Sequence, residues 1–241
     1  MRYEESPREG QRTRFRELVQ ERAKGRPVAH LLGRKEFFSL DFEVGPAVLV
    51  PRPETELVVA EALALAKQMA APRVLDVGTG SGCIAVAVAK QHKAAQVTAI
   101  DLSEDALGVA RRNADRHGLG ERVRFLQGNL FAPLSADEQF ELILSNPPYV
   151  RGGEIAGLAV EVRDHEPRLA LDGGEDGLAV IERLVAQAPA HLAPAGWLIF
   201  EIGLGQEADA RALLERAGWE AGKALVDHAG LPRVLKARRA S

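Results

Sequence analysis

The chain has 241 residues, 46% of them hydrophobic, which allows one large domain with a buried core or a main domain with a small appendage. Its formal net charge of -3 gives no overall basic field that would favour nucleic acid. A single cysteine, Cys83, excludes a disulfide framework and fits a reducing cytosol. The start Met1-Arg2-Tyr3-Glu4-Glu5 has no apolar leader and no run reaches membrane-spanning length, so a cytoplasmic location without membrane contact is expected. The six histidines are scattered without metal-ligand spacing, so no metal is expected.

Residues 1–25 are charged and polar, and Arg14 to Lys24 predict one helix with Phe15, Leu18 and Val19 as a thin apolar stripe. From Glu36 to Val50 the pattern changes to period two. Phe38, Leu40, Phe42 and Val44 fall on one face and Phe37, Ser39, Asp41 and Glu43 on the other, with Gly45-Pro46 as the turn of a β-hairpin. Pro53 with Glu54 and Glu56 suits the first turn of a helix running to about Met69. The stretch Pro51–Glu56 is either only a well-marked helix start or a linker that lies over a ligand.

Strand and helix patterns then alternate. Strands are predicted at Val74–Val77, Val97–Ile100, Val123–Leu126, Phe140–Leu144 and Trp197–Phe200, with two more near Lys223–Val226 and Arg233–Lys236. Helices are predicted at Ile84–Lys90, after Ser103 to near Gly118, at Leu178–Leu192 and at Gln206–Ala217. Such alternation implies a largely parallel, doubly wound seven-stranded sheet with helices on both faces. Residues 1–50 would form a lead-in and residues 51–241 the main α/β domain.

The run Gly78-Thr79-Gly80-Ser81-Gly82, preceded by Asp76, sits between the first of these strands and its helix. Glycines there permit a tight turn and close approach of a ligand to the backbone, at the carboxyl-end crevice where α/β sheets bind nucleotide-like molecules. Position 83 is Cys rather than Gly, so the dinucleotide fingerprint is incomplete, and no lysine completes a P-loop. Asp101 ends the next strand, where its two oxygens can accept both hydroxyls of a ribose. Asn129-Leu130 follows the third strand, placed for an adenine edge and ring. After the fourth strand, Pro147 and Pro148 end the ladder and leave Asn146 in a stiff, extended turn ahead of Tyr149.

Asp76, the glycine turn, Asp101 and Asn129 together resemble the cofactor half of class I (Rossmann-like) S-adenosylmethionine-dependent methyltransferases. Asn146-Pro147-Pro148-Tyr149 resembles the motif of those that methylate planar amino groups: adenine N6, cytosine N4 or the glutamine side-chain amide. The wider stretches Gly25–Gly33, Leu49–Glu56, Glu166–Gly177 and Glu201-Ile202-Gly203 with Gln206 are similar to the bacterial HemK/PrmC family of release-factor glutamine methyltransferases. That resemblance covers roughly residues 25–240. It implies N5-methylation of the glutamine in the Gly-Gly-Gln motif of class 1 peptide chain release factors, by a monomer that makes no direct nucleic-acid contact.

By the same resemblance, Gly78, Thr79, Gly80, Ser81, Gly82, Asp101, Asn129, Leu130 and Asn146 would contact S-adenosylmethionine. Asn146, Pro147, Pro148 and Tyr149 would hold the glutamine and carry the chemistry, and Arg52, Pro53, Glu54 and Thr55 would help cover the site. Methylation of a ribosomal-protein glutamine or of adenine N6 stays open as an alternative. The family usually has Asp at the position of Asn129, and a complete N-terminal helical bundle of which only the last helix, about residues 10–25, is expected here.

Overall fold

The computed structural model describes residues 8–239; the Met1–Glu5 start lies outside them. Helix α1 (Glu9–Ala23) forms near the predicted place but buries none of its residues, leaving Phe15 and Val19 exposed. A short helix α2 (Val28–Leu32) follows and ends at Gly33, whose left-handed φ of 67° closes it.

The hairpin exists, but its turn lies elsewhere than expected. Strands β1 (Arg34–Phe37) and β2 (Leu40–Glu43) pair antiparallel around Phe38-Ser39, not around Gly45-Pro46. Phe38 and Ser39 have φ of 49° and 59°, the conformation of a two-residue hairpin turn that side chains other than Gly rarely adopt. Glu56 holds it there by accepting the Phe38 amide at 2.8 Å. The turn puts Phe37 and Phe42 on one face, both fully buried with rings 6.0 Å apart and edge-on, while Phe38 and Leu40 stay half-buried. The simple alternation expected for a single strand is therefore broken at the turn.

Pro53–Thr55 make one 3-10 turn that leads into α3 (Glu56–Ala66). The alternating part follows as β3 (Arg73–Val77), α4 (Cys83–Gln91), β4 (Gln96–Asp101), α5 (Glu104–Arg116), β5 (Val123–Gln127) and β6 (Phe140–Ser145). After the short helix α6 (Val160–Arg163) come α7 (Ala179–His191), β7 (Leu192–Glu201), α8 (Glu207–Arg216), β8 (Trp219–Ala221), β9 (Leu225–Val226) and β10 (Pro232–Arg239). Ser103 caps α5 as predicted, accepting the Ala106 amide at 3.2 Å.

The main sheet runs β5-β4-β3-β6-β7-β10-β8, with β9 also paired to β10. β3, β4, β5, β6 and β7 are parallel, and β10 is antiparallel to its neighbours. The seven-stranded expectation describes this path. The strand expected near Lys223–Val226 is shortened to β9, and the unexpected β8 precedes it; the two pair with opposite ends of β10.

Alternate residues of each central strand enter opposite cores. Val74, Leu142 and Leu144 pack with α3 and α4, whereas Leu75, Val77 and Ile143 pack with α7 and α8. The strand order reverses at β3, with β4 and β5 on one side and β6 and β7 on the other, so a crevice opens at the carboxyl ends of β3, β4 and β6.

Candidate active site

A cavity of about 260 Å³ occupies this crevice. On its β3–β4 side it is built from backbone. Gly78 and Gly80 have φ of 73° and 55°, and a Cβ at either would meet nothing within 4 Å, so the turn fronts open space. The Gly78 and Thr79 amides donate to the Ile100 carbonyl at 2.8 and 2.9 Å, which ties the turn to the end of β4. Beneath it lies fully buried Asp76, whose Oδ2 accepts the Thr79 hydroxyl at 2.6 Å and the Ala85 amide at 3.1 Å. Asp76 Oδ1 finds no partner among the described residues. Burial raises the Asp76 carboxyl from 3.8 to about 7, against the pull of those two hydrogen bonds and with a further push from Asp101.

Asp101 spans the turn. Its Oδ2 accepts the Gly80 amide at 2.8 Å and its Oδ1 the Ser103 amide at 2.9 Å, which fixes the carboxylate while each oxygen keeps a further lone pair. Burial raises its pKa, opposed by these amides. Leu130 is held at φ 54°, a strained conformation of the kind that persists where the surroundings over-determine it. Arg183 of α7 donates to Asn129 Oδ1 at 2.9 Å, so the Asn129 amide group is oriented by a residue the sequence reading did not single out. Cys83 lines the cavity, but burial pushes its thiol up to about 12, so it stays protonated and is no nucleophile.

On the β6 side the site is built from side chains that come from far along the chain. Thr55, buried at the start of α3, donates its hydroxyl to Glu201 Oε2 at 2.6 Å and lies 2.9 Å from Asn146 Nδ2. The Tyr149 hydroxyl donates to Glu201 Oε1 at 3.0 Å. Burial and the adjacent Glu201 carboxylate raise the Tyr149 phenol, so it stays protonated. Burial raises Glu201 as well, opposed by the Thr55 and Tyr149 hydroxyls and by Arg233, and reinforced by Glu54.

The Asn-Pro-Pro-Tyr turn is strapped from outside by the two later stretches singled out in the sequence. The Val150 amide donates to the Leu171 carbonyl, and the Gly173 amide to the Val150 carbonyl, both at 2.9 Å. A Cβ on Gly173 would lie 2.8 Å from Tyr149 Cα and 2.7 Å from the Gly177 oxygen, so only glycine lets the strap approach. Gln206 completes the brace: its Nε2 donates to the Tyr149 carbonyl at 3.0 Å and its Oε1 accepts the Gly203 amide at 2.8 Å. Glu166 joins the linker to the strap, taking Arg52 Nη2 at 2.7 Å and the Val50 amide at 3.3 Å.

Gly78, Thr79, Gly80, Ser81, Asp101, Asn129, Leu130, Asn146, Pro147, Pro148 and Thr55 therefore line one cavity. Five expected residues stand outside its lining, among them Pro53, which opens the 3-10 turn before α3. Gly82 packs under Ala110, where a Cβ would come within 3.1 Å. Tyr149 turns its hydroxyl toward Glu201, Arg52 points to Glu166, and Glu54 adds negative charge near Glu201 and Arg233. The reading from sequence gave no role to Glu201 or Arg183. The signal for Glu201 was a carboxylate closing the apolar strand Trp197-Leu198-Ile199-Phe200; Arg183, beside Glu182 on α7, left none.

Residues 55–163 match the family described as "Methyltransferase small domain" and residues 1–33 the "PrmC N-terminal domain". The release factor glutamine methyltransferase of Geobacter sulfurreducens is 48% identical over 92% of this chain and 77% of that one. The protein of the same name from Gloeobacter violaceus is 46% identical over 87% of this chain and 73% of that one. This chain belongs to the release factor glutamine methyltransferases. A third member, from Bordetella pertussis, is 47% identical over 91% of this chain and 80% of its own length.

Solved structures agree on the fold. A methyltransferase from Pyrococcus furiosus aligns with TM-score 0.62 at 20% identity, covering 95% of this chain and 97% of its own. The ribosomal protein L11 methylase of Lactobacillus delbrueckii aligns with TM-score 0.58 at 21% identity, over 78% and 81% of the two chains.

Proposed function

We propose that this protein transfers a methyl group from S-adenosylmethionine to the side-chain amide nitrogen (N5) of the glutamine in the Gly-Gly-Gln motif of class 1 peptide chain release factors. One observation carries the site assignment. Asn146-Pro147-Pro148 opens into the same cavity as the Gly78–Ser81 turn and Asp101, in a chain of this enzyme family.

The residues present fit the cofactor. The glycine turn fronts open space, the Asp101 oxygens keep lone pairs for a ribose, and Leu130 offers an apolar wall beside the Asn129 amide. The glycopeptide N-methyltransferase MtfA, solved as a complex with S-adenosylmethionine, has the same fold, with TM-score 0.53 at 13% identity over 76% of this chain and 87% of its own. When bound, S-adenosylmethionine supplies an electrophilic methyl carbon on a sulfonium.

An amide nitrogen is a poor nucleophile, because its lone pair is delocalised into the carbonyl. In this reading the Asn146 side-chain oxygen and the Pro147 carbonyl each accept one N–H of the substrate amide, which fixes the nitrogen and aims its remaining face at the methyl carbon. Orientation and exclusion of water then supply most of the rate, and no strong general base is needed because the proton leaves after alkylation. Tyr149 supports the turn through Glu201 rather than from the cavity wall. Residues 1–50 serve as the lead-in and 51–241 as the catalytic unit, acting as a monomer in the cytoplasm without direct nucleic-acid contact. Among the described residues no helix is long and apolar enough to cross a membrane.

Incubation with purified release factor and S-adenosylmethionine, followed by mass spectrometry, tests this. A gain of one CH2 on the Gly-Gly-Gln peptide is expected. An unchanged peptide in the presence of bound cofactor overturns the reading.

A further inference from the structure

Thr55 and Glu201 are almost fully buried, yet the reaction as described uses neither. Their hydrogen-bond inventory decides something about Asn146. A hydroxyl has a single proton to give, and Glu201 accepts the one that Thr55 donates. Both Glu201 oxygens face hydroxyls, Thr55 Oγ1 at 2.6 Å and Tyr149 OH at 3.0 Å, so the Thr55 proton is spent on Glu201. Toward Asn146, 2.9 Å away, Thr55 has only a lone pair to offer. The Asn146 amide must therefore turn its NH2 to Thr55, and its carbonyl oxygen is left for the cavity that Asn146 lines.

We infer that Thr55 and Glu201 are positioning residues that set which end of the Asn146 amide meets the substrate, and so select a hydrogen-donating carboxamide over a carboxylate. The inference rests on the function proposed above and deepens it. With the relay intact, the substrate meets an acceptor, which an NH2 satisfies. A glutamate side chain in the same place brings a second acceptor and leaves two oxygens facing each other without a proton. A carboxamide at position 201 breaks the logic, because its NH2 can donate to Thr55, free the Thr55 proton for Asn146 Oδ1 and reverse the amide.

The test uses Thr55→Val, Thr55→Ser and Glu201→Gln in the full chain, with methylation kinetics on release factor and S-adenosylmethionine affinity by calorimetry. Thr55→Val keeps the shape and removes the hydroxyl; Thr55→Ser keeps the hydroxyl. Thr55→Val and Glu201→Gln are expected to lower kcat/KM for release factor by about 10- to 100-fold, as loss of one or two buried hydrogen bonds does. Cofactor affinity should stay within about twofold, a change worth under 1 kcal/mol. Thr55→Ser should retain most of the wild-type rate, and the Thr55→Val/Glu201→Gln double variant should be no worse than the weaker single, since both act through one amide.

Equal kcat/KM in wild type, Thr55→Val and Glu201→Gln overturns the inference. So does a Thr55→Ser variant as impaired as Thr55→Val, which would show that only packing matters. If melting shows that Glu201→Gln does not fold, the Val and Ser variants at position 55 decide alone. Wild-type protein that leaves release factor unmethylated overturns the proposed function instead, so the two failures are distinguishable.

Discussion

The two sides of the cavity are made differently. The β3–β4 side is a backbone device: alternate glycines at positive φ, amides pinned to Ile100, and one carboxylate laid across them. Nearly all of it comes from residues 76–103. The β6 side is a side-chain device, in which Asn146 depends on Thr55, 91 residues away in sequence, and through it on Glu201, 146 residues from Thr55. A local turn tolerates change in distant parts of the chain; a relay of buried side chains does not.

The largest effect should come from the β6 side. Asn146→Ala removes the group proposed to hold the amide and should cut methyl transfer by about 10²- to 10³-fold, the loss typical of a preorganised hydrogen-bonding group. Cofactor binding by calorimetry should survive, because the β3–β4 side is untouched; equal loss of both would mean that the two sides are not separable.

Next in size is the pH dependence stored under the glycine turn. Asp76 is raised from 3.8 to about 7, so between those values the native protein holds a proton that the unfolded chain has released. Stability from this group is therefore greatest below pH 4 and falls as pH rises toward 7, by about 2–4 kcal/mol. Asp76→Asn should lack that slope, so the stability difference between wild type and variant should itself fall as pH rises across the window. Parallel curves across the window would show that Asp76 is ionised throughout.

Gly173→Ala strikes the strap instead. The added methyl would collide with Tyr149 Cα and the Gly177 carbonyl, so a loss of about 1–3 kcal/mol in denaturant unfolding is expected, as for other overpacked sites. Activity should fall more than cofactor affinity does, because the displaced backbone is that of the Asn-Pro-Pro-Tyr turn. The smallest effect belongs to Asp101→Ala, which should weaken cofactor binding by about tenfold, the worth of a single hydrogen bond to a charged group. A calorimetric affinity equal to wild type would remove Asp101 from the cofactor site.

How much of this was legible in the chain follows from the same contrast. The order of strands and helices from Arg73 onward, the Ser103 cap and the glycine turn are written in local periodicity and in residues with special backbone freedom, so they could be read without tertiary information. The hairpin could not be placed correctly. Its turn puts Phe38 and Ser39 at positive φ, and that choice is held by Glu56, which is 18 residues away from Phe38. Likewise β8, which pairs with the end of β10, was not expected, and the strand expected near Lys223–Val226 is only the two-residue β9.

By itself the sequence determined the alternating α/β architecture, the glycine-lined crevice and the Asn-Pro-Pro-Tyr turn, because each is encoded by neighbours within a few residues. Only the tertiary structure decided that Tyr149 turns to Glu201, that Arg183 orients Asn129, and that Thr55 fixes the face of Asn146. The reason is physical. A hydroxyl or an amide can donate or accept, and which it does is set by the partner that folding brings to it.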